Sequence, residues 1–469
     1  MESKKNKMSV RWIITVLLTV LVLLIPTDEL FTEQIRIYLS GTVFCVFLIA
    51  FELVSPMLVS IILPTFYTVS GVAPMATAFG SYAGVFIWMV LGAFVLGNVM
   101  DETGLLKRLA YRMIMLMGGS FSGAVFSVYL VAAFINLITF GSAWVIALPV
   151  IMGIIKALRL KPGRESAIVC FAGMAGTVDS GVFMYIPSSI VMIDNHVQSV
   201  IPGFHATFFT CFIYNGLILA VSLLAIWLLL RENKRYNQKH NVKAVSGCMA
   251  KEYFSDRYHE MGKLSVDEIK SMVLFLLILF YMIASTFTRW NSSYAFMVIP
   301  YAAFLPGVGV GKKAETALKN VNYNGLFFAT SCVAIGVVGN FVGFNTWLTN
   351  ITVLLVSGQG ALFTCILLLL ITIVGNFVLT PSALMSGFGG AFAQIAMAVG
   401  MKPIAAVMLL YFSANMIFLP HEISGYLLLY GMGYWPIREF VKQQSFKTVL
   451  YLIFFVIVIY PFWRVTGLL

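Results

Sequence analysis

Residues 120–164 read SFSGAVFSVYLVAAFINLITFGSAWVIALPVIMGIIKALRLKPGR. The apolar run from about 120 to 157 exceeds the roughly 20 residues that cross a bilayer core, yet Thr139-Phe140-Gly141-Ser142 interrupts it midway. Basic residues stand on both sides of it: Lys107, Arg108 and Arg112 before, Lys156, Arg159, Lys161 and Arg164 after. The positive-inside rule puts such clusters on the cytoplasmic face. Both ends therefore lie on one side, and the segment is a helical hairpin that enters the membrane and turns back. Polar, glycine-containing backbone at that depth is tolerated only where it lines a cavity or is buried in protein.

The whole chain has this character. Of its 469 residues, 60% are hydrophobic and 10% charged, with mean hydropathy +0.94. Soluble domains carry roughly 25% charged residues, so a soluble enzyme is excluded. The fold class that follows is an all-α polytopic membrane protein of about eleven transmembrane helices plus two re-entrant helical hairpins. The net charge of +11 falls in loops between apolar runs, the pattern of positive-inside sorting rather than of a nucleic-acid stripe. The six cysteines, Cys45, Cys170, Cys211, Cys248, Cys332 and Cys365, stand singly with no disulfide or zinc spacing. No phosphate loop, nucleophile elbow or HExxH occurs, so ATP-driven transport, an enzymatic centre and a cofactor are not expected.

Working outward from the hairpin, Lys4, Lys5, Lys7 and Arg11 put the N-terminus in the cytoplasm. Spans near 11–27, 36–53, 54–70 and 80–99 precede the hairpin; residues 1–79 form N-terminal scaffold helices. A first repeat, 80–230, holds the hairpin (120–157), a broken helix (165–194) interrupted by Gly176-Thr177-Val178-Asp179-Ser180-Gly181, and a span near 203–230. Residues 231–270 are polar and read as a cytoplasmic linker carrying an amphipathic helix. A second repeat, 271–469, has spans near 271–288, 293–306 and 322–341 about a basic loop (Lys312, Lys313, Lys319). A hairpin (358–399) interrupted at Thr380-Pro381-Ser382, a broken helix (403–430) and a last span near 448–466 follow, leaving the C-terminus extracytoplasmic. A bacterial plasma membrane is the expected location.

Four landmarks recur in order at nearly one spacing: Gly97-Asn98 with Gly339-Asn340, Thr139 with Thr380, Lys161-Pro162 with Lys402-Pro403, and Ser180-Gly181 with Ser424-Gly425. In this topology the first Gly-Asn lies at an inner span end and the second at an outer one, so the halves are inverted. Inverted repeats with paired broken helices are the pattern of secondary transporters, whose half-helix N-termini face anionic groups while unwound carbonyls and hydroxyls hold cations.

This order resembles the divalent anion:sodium symporter family, the dicarboxylate and sulfate carriers of the ion transporter superfamily. The resemblance covers most of the chain from about residue 50 onward. It is closest at Glu102-Thr103-Gly104-Leu105-Leu106-Lys107-Arg108-Leu109, Leu148-Pro149-Val150, and Leu419-Pro420 followed by Gly431-Met432-Gly433-Tyr434. It implies a homodimer, a scaffold and a moving transport domain that work as an elevator, and Ser-Asn-Thr at each hairpin tip helping to bind sodium and a substrate carboxylate. Here those tips fall on Thr139-Phe140-Gly141, with Ser142 next, and on Thr380-Pro381-Ser382, so Phe140 and Pro381 stand where the family has asparagine. The Thr-Pro-Pro-Asn of the family's unwound spans maps, in the first copy, either to Gly176-Thr177-Val178-Asp179-Ser180 or, better spaced, to Ile186-Pro187-Ser188-Ser189. The second copy maps to Glu422-Ile423-Ser424-Gly425.

The expected substrate-binding set is Asn136, Thr139, Ser142, Pro187, Ser188, Ser189, Asn376, Thr380, Ser382, Ser424 and Gly425. Asn136 and Asn376 either take over the missing amide role or bond between helices. The expected ion-coupling set is Thr139, Gly141, Ser142, Gly176, Thr177, Asp179, Thr380, Ser382, His421 and Glu422, with sodium at the hairpin tips. Asp179, His421 and Glu422 are the ionisable groups nearest the breaks, and charge inside a membrane is costly enough to mark an ion or proton path. The function expected is a symporter for a small organic anion such as a dicarboxylate, coupled to sodium, in contact with membrane lipid and with no nucleic-acid partner. The alternatives are proton-coupled movement of another small solute, and a non-transporting membrane enzyme or accessory subunit.

Overall fold

The computed structural model describes residues 2–51, 53–117, 120–141, 144–240, 248–288, 290–291, 293–307, 309–310, 314–377 and 380–469. Every regular element among them is helical. Among the described residues, six helical stretches are long and apolar enough to cross a membrane: Val85–Glu102, Phe121–Ile138, Arg164–Gln198, Val266–Phe287, Tyr323–Phe341 and Ile437–Val465. Their burial differs with their place. Of an 18-residue apolar window in Arg164–Gln198, 89% is buried inside the molecule, against 22% for one in Val266–Phe287. Leu276, Leu277 and Phe280 on the latter, and Val449 and Ile457 on the last helix, remain exposed, as suits surfaces whose solvent is lipid.

One element order occurs twice. Val85–Glu102 and the short Leu105–Met117 lead into the helix pair Phe121–Ile138 and Trp144–Ala157. Arg164–Phe183, Pro187–Gln198 and the closing helix Ile218–Lys239 follow. In the second half, Tyr323–Phe341 and Phe344–Val356 lead into Ala361–Asn376 and Pro381–Ala398, then Pro403–Ala414, Ser424–Gly431 and the closing helix from Ile437. Gly97-Asn98 and Gly339-Asn340 both sit near the C-terminal ends of matching helices. The preceding helices cross over: Pro56–Val69 packs on Tyr323–Phe341, and Ser293–Val298 packs on Val85–Glu102, where Gly92 admits the Phe296 backbone.

The first helix pair turns at Thr139–Gly141. Gly141 has φ +103°, and Phe140 also adopts positive φ, 49°. That conformation costs a non-glycine residue roughly 1–2 kcal/mol. Its ring is buried and packs edge-on against Phe296, centroids 4.7 Å apart, with Phe275 beyond. In the second pair, the Thr380 hydroxyl accepts from Ala383 N and Pro381 occupies the first helical position, the residue types that start helices best.

The first broken helix departs from the sequence expectation. Arg164–Phe183 runs unbroken through Gly176–Gly181, and the interruption lies at Met184–Ile186, both ends of which are extended. Gly176 serves close packing instead: a Cβ there would overlap the Tyr129 carbonyl and Ala132 on the neighbouring helix. The break belongs to Pro187, since the residue before a proline is pushed out of the helical region. Of the two alternative mappings of the unwound motif, Ile186-Pro187-Ser188-Ser189 is the one at the break. Pro420 acts likewise in the second copy, where Pro403–Ala414 ends at Asn415, Leu419 is extended and the helix resumes at Ser424. Ser180-Gly181 and Ser424-Gly425 are therefore not equivalent, one pair being mid-helix and the other opening a half-helix. The last helix also differs. It starts at Ile437, not near 448, because Gln443, Gln444, Lys447 and Thr448 face inward as a buried polar stripe.

Charged side chains join the ends of these elements. Arg108 of Leu105–Met117 bonds Glu268 at 2.7 Å and donates to the carbonyls of Met261, Gly262 and Lys263. Glu232 receives both Arg164 (2.8 Å) and Lys442 (2.9 Å), tying the first broken helix to both closing helices.

Candidate functional site

The two turns and the two breaks meet at one cavity of about 810 Å³. From the first half it is lined by Asn136, Gly141, Thr177, Gly181, Ser188 and Ser189; from the second by Thr380, Pro381, Ser382, Tyr411, Asn415, Glu422 and Ile423. Ser55, Pro56, Asn322, Asn324 and Gly325 close it from the crossed-over helices.

Five helices begin on its wall. Ser55, Asn322 and Thr380 are N-caps, each accepting from a first-turn amide: Leu58 N at 3.4 Å, Gly325 N at 3.0 Å and Ala383 N at 3.4 Å. Ser188 and Ser189 lie in the first turn of Pro187–Gln198, and Ile423 precedes Ser424–Gly431. The caps of these last two, Ile186 and Ile423, make no side-chain hydrogen bond, so no cap side chain covers their first-turn N–H groups. Each helix start carries about half a positive charge. Among the described lining residues there is no Lys, Arg or His, and Glu422 is the one carboxylate. The potential of the cavity is thus set by backbone: helix starts attract an anion, while helix ends at Asn136–Gly141 and Asn415 offer carbonyls to a cation.

The turns are tied to the breaks by paired amides. Asn136 Nδ2 donates to the Thr177 carbonyl (3.0 Å) and to Ser180 Oγ (2.9 Å). Asn376 Nδ2 donates to the carbonyls of Ser413 (3.3 Å) and Met416 (3.2 Å). Both asparagines therefore hold a hairpin against its own broken helix, and Asn136 also reaches the cavity. Tyr411 Oη donates to the Ser189 carbonyl at 3.0 Å and links the two broken helices. Glu422 folds back on its own loop, accepting from Leu419 N at 2.8 Å and Phe418 N at 3.2 Å.

Of the sequence candidates, Asn136, Gly141, Thr177, Ser188, Ser189, Thr380, Ser382 and Glu422 line the cavity. Thr139 is buried behind the turn, its hydroxyl donating to the Ile135 carbonyl at 2.8 Å. Gly176, Pro187, Asn376 and Gly425 shape the backbone without lining. Ser142 lies outside the described residues, and for His421 and Ser424 only the backbone is described. Asp179 stands apart: it lies on a non-cavity face of Arg164–Phe183, bonded to Lys447 Nζ (2.8 Å), Tyr451 Oη (2.7 Å) and Ser222 Oγ (3.2 Å). Asp179 and Lys447 are both buried. The sequence does not single out Lys447, one residue before the span expected near 448–466, nor the wall residues Ser55, Asn322, Asn324, Tyr411 and Asn415. Ser55-Pro56 and the asparagine-rich 320–325 before an apolar run are helix-start signals that mark some of them.

Residues 6–469 match the family described as sodium:sulfate symporter transmembrane region. The sodium-dependent dicarboxylate transporter SdcS of Staphylococcus saprophyticus is 27% identical over 218 residues, a match spanning 44% of this chain and 41% of that protein's length. Among solved structures, MtrF of Neisseria gonorrhoeae, described as one of a class of antimetabolite efflux pumps, covers 89% of this chain and 97% of its own. It aligns with TM-score 0.58 at 12% identity. The YdaH transporter of Alcanivorax borkumensis aligns with TM-score 0.51 at 13% identity, over 82% of this chain and 85% of its own. These likenesses extend to the fold. The chain is an integral membrane protein, and it belongs to the sodium:sulfate symporter transmembrane family, a family of secondary transporters and not of enzymes.

Proposed function

We propose that this chain is a secondary active symporter that moves a small organic anion, such as a dicarboxylate, together with sodium by elevator-type alternating access. The observation that carries this reading is the single cavity to which both turns and both breaks contribute. An anion there needs no basic side chain, because the helix starts at Ser188–Ser189 and after Ile423, which no cap side chain covers, supply directed N–H donors and positive potential. Sodium suits the opposite chemistry of the same wall, the oxygens of Thr380, Ser382, Asn415 and Glu422. Binding the cation first would offset Glu422 and make room for an anion.

In this reading Ser188 and Ser189 hold substrate, Thr380, Ser382, Asn415, Gly141, Thr177 and Glu422 hold the ion, and Ser424 and Gly425 open the half-helix that follows Ile423 on the cavity wall. Thr139, Ser142, Pro187, Asn136, Asn376 and Gly176 fix the backbone around them. The halves are inverted repeats with re-entrant hairpins, the protein works as a homodimer in a bacterial plasma membrane, and its N-terminus is cytoplasmic and its C-terminus extracytoplasmic. A second reading, proton coupling through Glu422, is favoured by that residue being the one carboxylate on the described wall.

Reconstitution into proteoliposomes with separate sodium and proton gradients and a panel of radiolabelled mono- and dicarboxylates and sulfate tests the proposal. Sodium-driven accumulation of at least one anion is expected. Accumulation under the proton gradient alone would transfer the coupling role to the second reading, and none under either would end the transport reading.

A further inference from the structure

The closing helix of the first half, Ile218–Lys239, carries an exposed stripe whose chemistry changes abruptly partway along. Val221, Ala225, Ile226, Leu229, Leu230 and Asn233 turn inward. On the outer side Leu224 and Trp227 are exposed, and so are Arg231, Lys234 and Arg235. Steps of three and four residues keep 224, 227, 231 and 234 on one helix face, with Arg235 beside them. Apolar side chains that suit lipid thus pass directly into cations, with Trp227 at the change. The Arg231 guanidinium lies over the Trp227 ring, 5.3 Å from its centroid. Tryptophan favours the headgroup level of a bilayer, which brings the three cations within reach of lipid phosphates.

The charges on this face are uncompensated. Among the described residues Arg231, Lys234 and Arg235 form no ion pair. Glu232, the one carboxylate of the helix, is held elsewhere, by Arg164 at 2.8 Å and Lys442 at 2.9 Å. Asn237 also serves the protein side, donating to Glu165 at 3.1 Å. The helix end therefore sorts its polar groups, those with protein partners on one side and three unpaired cations on the other. Charge sorting during insertion accounts for cations at this end, but not for their gathering below one apolar stripe.

We infer that this face binds an anionic phospholipid, with its acyl chains along Leu224 and Trp227 and its phosphate among Arg231, Lys234 and Arg235. Arginine offers a planar fork that matches phosphate oxygens two at a time, and lysine adds a compact charge. A zwitterionic headgroup brings its own cation and gains less. The apolar stripe above the cations favours a lipid over a soluble anion or an acidic protein, neither of which would cover Leu224 and Trp227. A lipid held here braces the helix that supports the first broken helix through Arg164–Glu232 and through Ser222, which bonds Asp179 at 3.2 Å. None of the three cations lines the main cavity, so the inference goes beyond the proposed transport function and does not depend on it.

The test is native mass spectrometry of the purified full chain in neutral detergent, titrated with phosphatidylglycerol or phosphatidylcholine of matched acyl chains. Three cations at headgroup level should favour phosphatidylglycerol by on the order of a hundredfold. In wild type that preference should shrink as ammonium acetate rises from about 0.1 M to about 1 M, a readout that needs no variant to insert correctly. Arg231→Gln/Lys234→Gln/Arg235→Gln should lose the preference, and Arg231→Lys/Arg235→Lys should keep most of it. Lys107→Gln/Lys251→Gln/Lys263→Gln, an equal loss of exposed charge elsewhere, should keep it fully. Equal binding of the two lipids, or a preference that follows total charge rather than residues 231–235, would overturn the inference. So would glycerol phosphate or polyglutamate displacing the lipid at equal concentration, since the patch would then recognise charge alone. Phosphatidylglycerol binding without any sodium-driven uptake would keep this site and end the transport reading.

Discussion

At the residue scale, the buried Asp179–Lys447 pair separates two roles that an intramembrane acid can have. Its carboxylate is spoken for by Lys447, Tyr451 and Ser222, while a few positions away Thr177, Val178 and Gly181 line the cavity. The pair therefore positions the first broken helix against the last one. Breaking a buried pair on one side leaves an uncompensated charge, at a cost of about 3–5 kcal/mol, whereas removing both charges is often near neutral. Lys447→Met should accordingly lower thermal stability sharply, and Asp179→Asn/Lys447→Met should restore most of it; a double variant as unstable as the single one would contradict this. Asp179 was conspicuous in the sequence because charge is rare there, but nothing in a single chain distinguishes an acid facing a cavity from one facing a lysine 268 residues later. Phe140 is the opposite case. Its place at the turn reads as a lost amide, and only the packing on Phe296 shows what the side chain does instead.

At the element scale, helices and their turns follow from local chemistry. Ser55-Pro56, Thr380-Pro381 and Asn322 are helix starts that the sequence displays openly. The breaks were harder to place. Glycine and serine at 176–181 suggest unwinding, yet the helix persists because its glycine lies against another backbone. The decisive residues are prolines, Pro187 and Pro420. Pro187→Ala should let Arg164–Gln198 close into one straight helix and abolish uptake while the protein remains folded by circular dichroism; uptake at the wild-type rate would show that the break is not needed. Thr380→Val removes the N-cap acceptor of Pro381–Ala398, at about 1 kcal/mol, and should also raise the sodium concentration that half-activates uptake. Ser382→Ala should do the latter without the stability loss, and unchanged sodium activation in both would argue against a cation at the second turn.

At the scale of the whole molecule, the recurrence of one element order, with its leading helices crossed over onto the opposite half, explains why a single cavity draws on both. Residue spacing suggests a recurrence, though Ser180-Gly181 and Ser424-Gly425 occupy different places in their helices; the crossing leaves no trace in the sequence, because Pro56–Val69 and Tyr323–Phe341 are distant and share no motif. An elevator requires the hairpins and broken helices to shift against that crossed-over pair. Spin labels on Pro381–Ala398 and on Tyr323–Phe341 should accordingly show two distance populations whose ratio responds to sodium and solute. The most direct measurement of the central claim, that the cavity between both turns and both breaks is the transport site, is uptake into proteoliposomes by Ser188→Trp and Ser382→Trp, which fill it from opposite halves. The account predicts sodium-driven anion uptake in wild type and its loss in both variants with folding intact. Uptake that survives a filled cavity would contradict it.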